Sequence, residues 1–301
     1  MSQTPAPSPA PAAINRLAII GVGLIGGSLA LSLRQAGYCR EIVGAGRDRA
    51  SLQQAQSLGV IDRFELDICA AVHGADMIVL ATPVGAIESV CRALRGCLAE
   101  SAVLTDVGSV KASVVDAVRI GLGHLPAGFV PAHPIAGRER SGVEAATADL
   151  YEGRRVILTP LPESDPQACQ AVRRMWEVAG ARVEDMPVDH HDEVLAATSH
   201  LPHLLAYTLV SSLSRLGEQE EIFRYAAGGF RDFTRIASSD PVMWRDICLH
   251  NKEAILGMFK HFARDLELLG EVIDAGDGDR LLSIFQRAKQ TRDRFCERPD
   301  S

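Results

Sequence analysis

No apolar run in this 301-residue chain reaches the ~18 residues a membrane-crossing helix needs, so no membrane span is expected. There is no excess of positive charge. Lys and Arg number 31 against 38 Asp and Glu, a net charge of −7, which offers nothing to nucleic acid or acidic membrane surfaces. Cys-x-x-Cys pairs are absent as well. The seven cysteines are scattered and odd in number, the pattern of reduced thiols in a cytoplasm rather than of a disulfide framework or zinc site; no metal is expected. The N-terminus lacks the basic and apolar regions of a secretory signal. Prolines at 5, 7, 9 and 11 make residues 1–13 read as a disordered, polyproline-like tail.

What the chain does have is a short apolar strand, Arg16 to Ile20, running straight into Gly21-Val22-Gly23-Leu24-Ile25-Gly26, with a helix predicted over 28–34. A lone Gly-x-Gly-x-x-Gly is weak, but between a strand and a helix it becomes a dinucleotide fingerprint. Gly21 permits the tight turn, Gly23 lets backbone approach a pyrophosphate, and Gly26 lets helix and strand pack closely. The N-terminus of the helix that follows offers free N–H groups to an anion, and Leu24 and Ile25 of the same loop are expected to contact the cofactor.

Further strands are expected at 41–44, 77–81, 103–105 and 129–132, with helices at 50–58 and 110–118. This alternation implies an α/β fold, a Rossmann-type doubly wound parallel sheet. Segments 155–159, 167–179 and 182–184 extend the dinucleotide-binding domain to 14–187. From 188 to 301 the β signal fades and amphipathic stretches take over, at 191–215, 241–269 and 277–295. Ile247, Ile255, Met258, Phe259 and Phe262 recur there at helical spacing. An all-α second domain follows, whose apolar faces suit a homodimer or closure on themselves.

Four segments are expected at strand ends, where an open α/β sheet places its ligands: Ala81-Thr82-Pro83-Val84, Thr105 to Lys111, Ala132-His133-Pro134-Ile135-Ala136-Gly137-Arg138-Glu139, and Ser199-His200-Leu201-Pro202-His203. A fifth, Gly228 to Ala237, lies in the helical region. With the glycine loop, these segments in this order resemble the prephenate/arogenate dehydrogenase family of tyrosine biosynthesis, over nearly everything from Ile14 to Phe295. The resemblance implies a nucleotide-binding domain, a helical dimerisation domain, and oxidative decarboxylation of a cyclohexadienol small molecule.

The residues suit that chemistry. Hydride removal from C4 of the ring needs a base at the C4 hydroxyl, and a histidine titrates near working pH; His133 resembles the family's catalytic histidine. Ser109 reads as a helix cap by position and, by resemblance, sits between nicotinamide and substrate hydroxyl. Lys111 is either solvated or a support for the loop. Thr82 and Pro83 shape the cofactor wall. Two substrate carboxylates call for a cationic clamp, and a guanidinium binds a carboxylate bidentately. Arg235 is the candidate, with Phe233 and Ile236 beside it suggesting partial burial. His200 and His203 face one side of a helix; their spacing would admit a metal pair, but no carboxylate or cysteine partner is evident, and the resemblance places them at the substrate. Glu139 resembles a gating residue.

The acid that takes the ribose 2′-hydroxyl of NAD normally lies about twenty positions past the glycine run. Gly46 stands there, followed by Arg47-Asp48-Arg49. That favours a 2′-phosphate bound by Arg47, hence NADP, with NAD the alternative if Asp48 slides into the acidic role. Two rivals stay open: a β-hydroxyacid-type dehydrogenase, and a non-catalytic dinucleotide sensor.

Overall fold

The computed structural model describes residues 14–137, 140–216 and 219–296; the proline-rich tail and Glu139 lie outside the described residues. In chain order the elements begin β1 (Ile14–Ile20), α1 (Leu24–Gln35), β2 (Cys39–Ala45), α2 (Arg49–Ser57), β3 (Arg63–Glu65), α3 (Ile68–Val72), β4 (Met77–Leu80), α4 (Ile87–Leu94), β5 (Val103–Asp106), α5 (Lys111–Leu122), β6 (Phe129–Val130) and β7 (Ala132–Pro134). Then come β8 (Arg155–Leu158), α6 (Pro166–Val178), β9 (Arg182–Asp185), α7 (Val188–Leu195), α8 (Leu201–Leu213), α9 (Gln219–Arg224), α10 (Gly228–Thr234), α11 (Pro241–His250), α12 (Lys252–Asp274) and α13 (Gly278–Cys296).

Six strands form a parallel sheet in the order β3-β2-β1-β4-β5-β6. The order reverses beside β1, which opens a crevice past the carboxyl ends of β1 and β4 where open α/β sheets bind ligands. Both faces are covered. Leu17 and Ile19 of β1 pack into one core, with Leu29, Leu33 and Trp176; Ala18 and Ile20 face the other, with Ile87, Val114 and Val118, as the two-residue strand period requires.

The strand segments expected to extend this domain lie outside the parallel sheet. β7, β8 and β9 make a separate three-stranded sheet, with β7 antiparallel to β8. The strand expected across 129–132 breaks at Pro131, which has no N–H to give a ladder. β6 stays in the first sheet and β7, carrying His133, moves to the second.

The helical region is more broken than its periodicity suggested. The stretch expected at 191–215 is α7, a π turn at Ala196–His200, and α8. The stretch at 241–269 is interrupted at Asn251, which ends α11. Two compact units result, one through Lys252 and one from Glu253 onward. The second comprises most of α12 together with α13; Ile255 and Val272 are its buried apolar residues among those described. No described helix is long and apolar enough to cross a membrane.

The expectation of reduced thiols holds for Cys39, Cys91, Cys169, Cys248 and Cys296 and fails for one pair. Cys69 and Cys97 form a disulfide, their Cα atoms 5.4 Å apart. Packing of α3 on α4 brings them together, a tertiary proximity that their separation of 28 residues does not reveal.

Candidate active site

The glycine loop is built as its spacing demands. Gly21 has φ +98°, and a Cβ there would lie 2.5 Å from the Ala81 carbonyl oxygen. A Cβ on Gly26 would meet the Gly21 carbonyl oxygen at 2.5 Å and Ile19 Cγ2 at 2.9 Å; only glycine lets β1, α1 and β4 approach this closely. Gly23 is the contrast: nothing lies within 4 Å of its Cβ position. It is the N-cap of α1, and no side chain among the described residues caps the helix, which leaves the first-turn N–H groups available to an anion such as a pyrophosphate. Leu24 is buried and Ile25 half-buried, with the Ile25 carbonyl accepting from the Tyr151 hydroxyl. The Thr82 hydroxyl is buried and has no hydrogen-bond partner among the described residues, and Pro83 is exposed, in the segment that follows β4. These residues fit a dinucleotide.

Past β2, Arg47 is exposed. Asp48 caps α2, its carboxylate accepting from the backbone N–H groups of Ala50 and Ser51 and from the Ser51 hydroxyl. An aspartate held this way is committed to its helix.

His133, 8% exposed, stands at the end of a buried chain. Asp192 Oδ1 lies 2.8 Å from His191 Nδ1, and His191 Nε2 lies 2.9 Å from His133 Nδ1. The protons follow from chemistry. A carboxylate accepts, so His191 Nδ1 donates; neutral His191 then accepts at Nε2, so His133 Nδ1 donates and Nε2 keeps its lone pair. Burial, then the neighbouring His191, Lys111 and His200, hold His133 well below the usual histidine range. Burial lowers His191 as well. Both rings are therefore neutral in neutral solution.

Asp192 has a second task. Its carboxylate accepts from the backbone N–H groups of Lys111 (2.8 Å) and Ala112 (2.9 Å), capping α5 from another helix. This corrects the reading of Ser109 as a cap. α5 starts at Lys111 with Val110 at the N-cap and no cap from its own segment. Ser109 is half-buried and left to other work. Lys111 is fully buried, not solvated. Its Nζ donates to Asp106 and, at 2.6 Å, to the Ala132 carbonyl oxygen. Asp106 in turn accepts from the N–H groups of Gly108 and Ala132, so one ion pair ties the Ser109 loop to the strand bearing His133.

His200 and His203 do share a side. Trp244 of α11 stacks on His203 at 3.8 Å between ring centroids and meets His200 edge-on at 6.0 Å. Burial pushes His200 down to about 4 and lowers His203; the Arg235 charge adds to the shift at His203, which places the guanidinium near that ring. Arg235 opens the 3-10 turn after α10. It is exposed, and so is Phe233 beside it, so the partial burial expected of Arg235 is not found. Its segment has no buried residue.

Four contributors escaped sequence reading: His191, Asp192, Trp244 and Asn251. Adjacent His190-His191-Asp192 was a weak signal at best, since only one of the two histidines turns inward.

Two family descriptions match the chain: the nucleotide-binding domain of prephenate dehydrogenase over residues 29–185 and its dimerization domain over 187–287. A cyclohexadienyl dehydrogenase from Zymomonas mobilis is 39% identical, across 92% of this chain and 94% of that protein. The prephenate dehydrogenase of Bacillus subtilis is 37% identical, across 91% and 74%. Among solved structures, the prephenate dehydrogenase of A. aeolicus, in complex with hydroxyphenyl propionate and NAD+, is 39% identical, covering 93% of this chain and 98% of that one with a TM-score of 0.87. Fold, glycine loop and these matches agree: the chain belongs to the prephenate dehydrogenase family.

Proposed function

We propose that this enzyme oxidatively decarboxylates prephenate, arogenate or both, with NADP as the preferred cofactor and His133 as the base. The observation that carries the reading is the Asp192–His191–His133 chain, which leaves His133 Nε2 as a buried, unprotonated nitrogen.

Gly21, Gly23, Leu24, Ile25, Gly26, Thr82 and Pro83 hold the dinucleotide, which when bound supplies the hydride acceptor. His133 Nε2 takes the proton of the C4 hydroxyl. Oxidation at C4 leaves a carbonyl conjugated through the ring to the carbon bearing the carboxylate. The C–CO2 bond then breaks, CO2 leaves, the electron pair passes through the ring to the C4 oxygen, and that oxygen takes back the proton held at His133 to give a phenol. The proton accepted at His133 is stabilised through His191 by the Asp192 carboxylate. Ser109, free of capping duty, hydrogen-bonds the same hydroxyl. Arg235 clamps a substrate carboxylate, with His200 and His203 beside it and Glu139 gating the site.

NADP is favoured because Arg47 is exposed, Gly46 provides no acid, and Asp48 is engaged by α2. We assign cofactor binding to residues 14–187 and substrate closure and homodimer formation to 188–301, and place the enzyme in the cytoplasm.

Absorbance at 340 nm, with each substrate paired with each cofactor, tests the reading. Turnover is expected, faster with NADP. His133→Asn should lower kcat ~10²–10⁴-fold with little change in substrate affinity. Arg235→Gln should instead raise KM and leave cofactor affinity untouched. Normal turnover by His133→Asn would overturn the mechanism.

A further inference from the structure

Asn251 ends α11 with its side chain buried. Trp244, Ile247 and Asn251 are spaced i, i+3, i+7, one stripe of the helix face, and all three are buried. An amide on that stripe stands where an apolar residue would serve packing better. Its nitrogen Nδ2 lies 2.9 Å from the carbonyl oxygen of Asp192 and 3.1 Å from Nδ1 of His200.

Those two contacts decide where His200 keeps its proton. A carbonyl oxygen can only accept, so Asn251 must present its NH2 group there and not its oxygen. The same nitrogen has no lone pair to offer, so it donates to His200 as well. Nδ1 of His200 is then the acceptor, and the ring proton sits on Nε2. That Nε2 atom is buried and has no hydrogen-bond partner among the described residues. His200 itself is 1% exposed and its burial keeps it neutral. Buried donors without acceptors are unfavourable, and they are retained where a ligand supplies the acceptor. The π turn at Ala196–His200 widens the helix at this point, as such turns often do at functional sites.

We propose that Asn251 is a positioning residue that locks His200 as the Nε2–H tautomer, so that the substrate site has a hydrogen-bond donor there and selects an oxygen acceptor, a carboxylate or carbonyl, on the substrate. This rests on the reading of His200 as a substrate contact. Through the Asp192 carbonyl, the same amide also sets the register between α11 and the helix that carries the His191–Asp192 end of the proton chain.

The test uses the full-length protein labelled with 15N-histidine, in which the resonances of protonated and unprotonated ring nitrogens are well separated. The His200 signals are identified by their loss in His200→Gln. Wild type should show His200 protonated on Nε2. Asn251→Leu, close in volume and suited to an apolar stripe, should give a mixture of tautomers. It should also raise KM for prephenate roughly tenfold or more, by more than kcat falls, with cofactor affinity unchanged. Asn251→Asp, which can only accept, should move the His200 proton to Nδ1. A proton on Nδ1 in wild type, or an Asn251→Leu protein with unaltered tautomer and KM, overturns the proposal. The underlying reading fails separately, and visibly, if His200→Gln itself leaves KM for prephenate unchanged.

Discussion

His133 is held neutral by its surroundings rather than by its own chemistry. Burial comes first, then the neighbouring His191, Lys111 and His200, and together they push its pKa well below the usual value. A base must be unprotonated to act, so activity should persist as pH falls past 6.5 and drop only when the depressed pKa is reached. kcat/KM reports the free enzyme, and its pH profile should be flat from about 8 to below 6. An acid limb centred near 6.5 would contradict this account. Removing a positive neighbour should move the limb back toward the ordinary histidine range, and Lys111 is the fully buried one. Its loss, however, would strand the Asp106 carboxylate, a penalty of about 3–5 kcal/mol when one partner of a buried pair is deleted. The informative variant is therefore the neutral pair Asp106→Asn with Lys111→Met. It should shift the limb toward higher pH while the protein stays folded.

At the scale of elements, what was legible in the sequence was what is local. The glycine loop could be read because turn, close approach and helix start fall within six consecutive residues, Gly21 to Gly26: Gly21 and Gly26 meet backbone atoms at close range, and the space beside Gly23 is open. Ser109 was misread as a cap because the true cap, Asp192, lies more than eighty residues along the chain. Asn251 could not be read at all: its partners are on α7 and the π turn, and its position continues an apolar helical stripe. The β2–α2 turn is again a local case. Asp48 is taken up by α2, and Arg47 is an exposed cation just past the strand end, where the proposed NADP reading puts its ribose phosphate. Arg47→Ala should raise KM for NADP by roughly tenfold or more, the scale of one charged hydrogen bond, while KM for NAD changes far less. Equal effects on both cofactors, or a wild-type preference for NAD, would remove Arg47 from the phosphate site.

For the molecule as a whole, buried neutral histidines make stability depend on pH in one direction. His200 has a folded pKa of about 4 against ~6.5 in an unfolded chain. Between those values the unfolded state binds more protons, so stability falls as pH drops through the window and levels off above it. Passing from pH 7.5 to 5 should remove about 2 kcal/mol through His200 alone, a fall in Tm on the order of 5 °C. His200→Gln should flatten that slope, and equal Tm values at the two pH values would refute it. Assembly is the remaining whole-molecule property. On α12, Phe259, Leu266 and Ile273 recur every seven residues with Leu256 one turn before them, and on α13 Leu282 and Phe285 lie one turn apart; all six are exposed in the single chain. Apolar stripes of this kind mark interaction surfaces, and they lie within the stretch that matches a dimerization domain. Light scattering at micromolar concentration should therefore report a homodimer. Across a two-fold axis each substitution acts twice, and burying one Phe or Leu is worth about 1.5–3 kcal/mol. Phe259→Glu should thus weaken association by about 3–6 kcal/mol, more than a hundredfold, and yield monomers at the same concentration. A wild-type protein that scatters as a monomer would show that these helices do not hold two copies together.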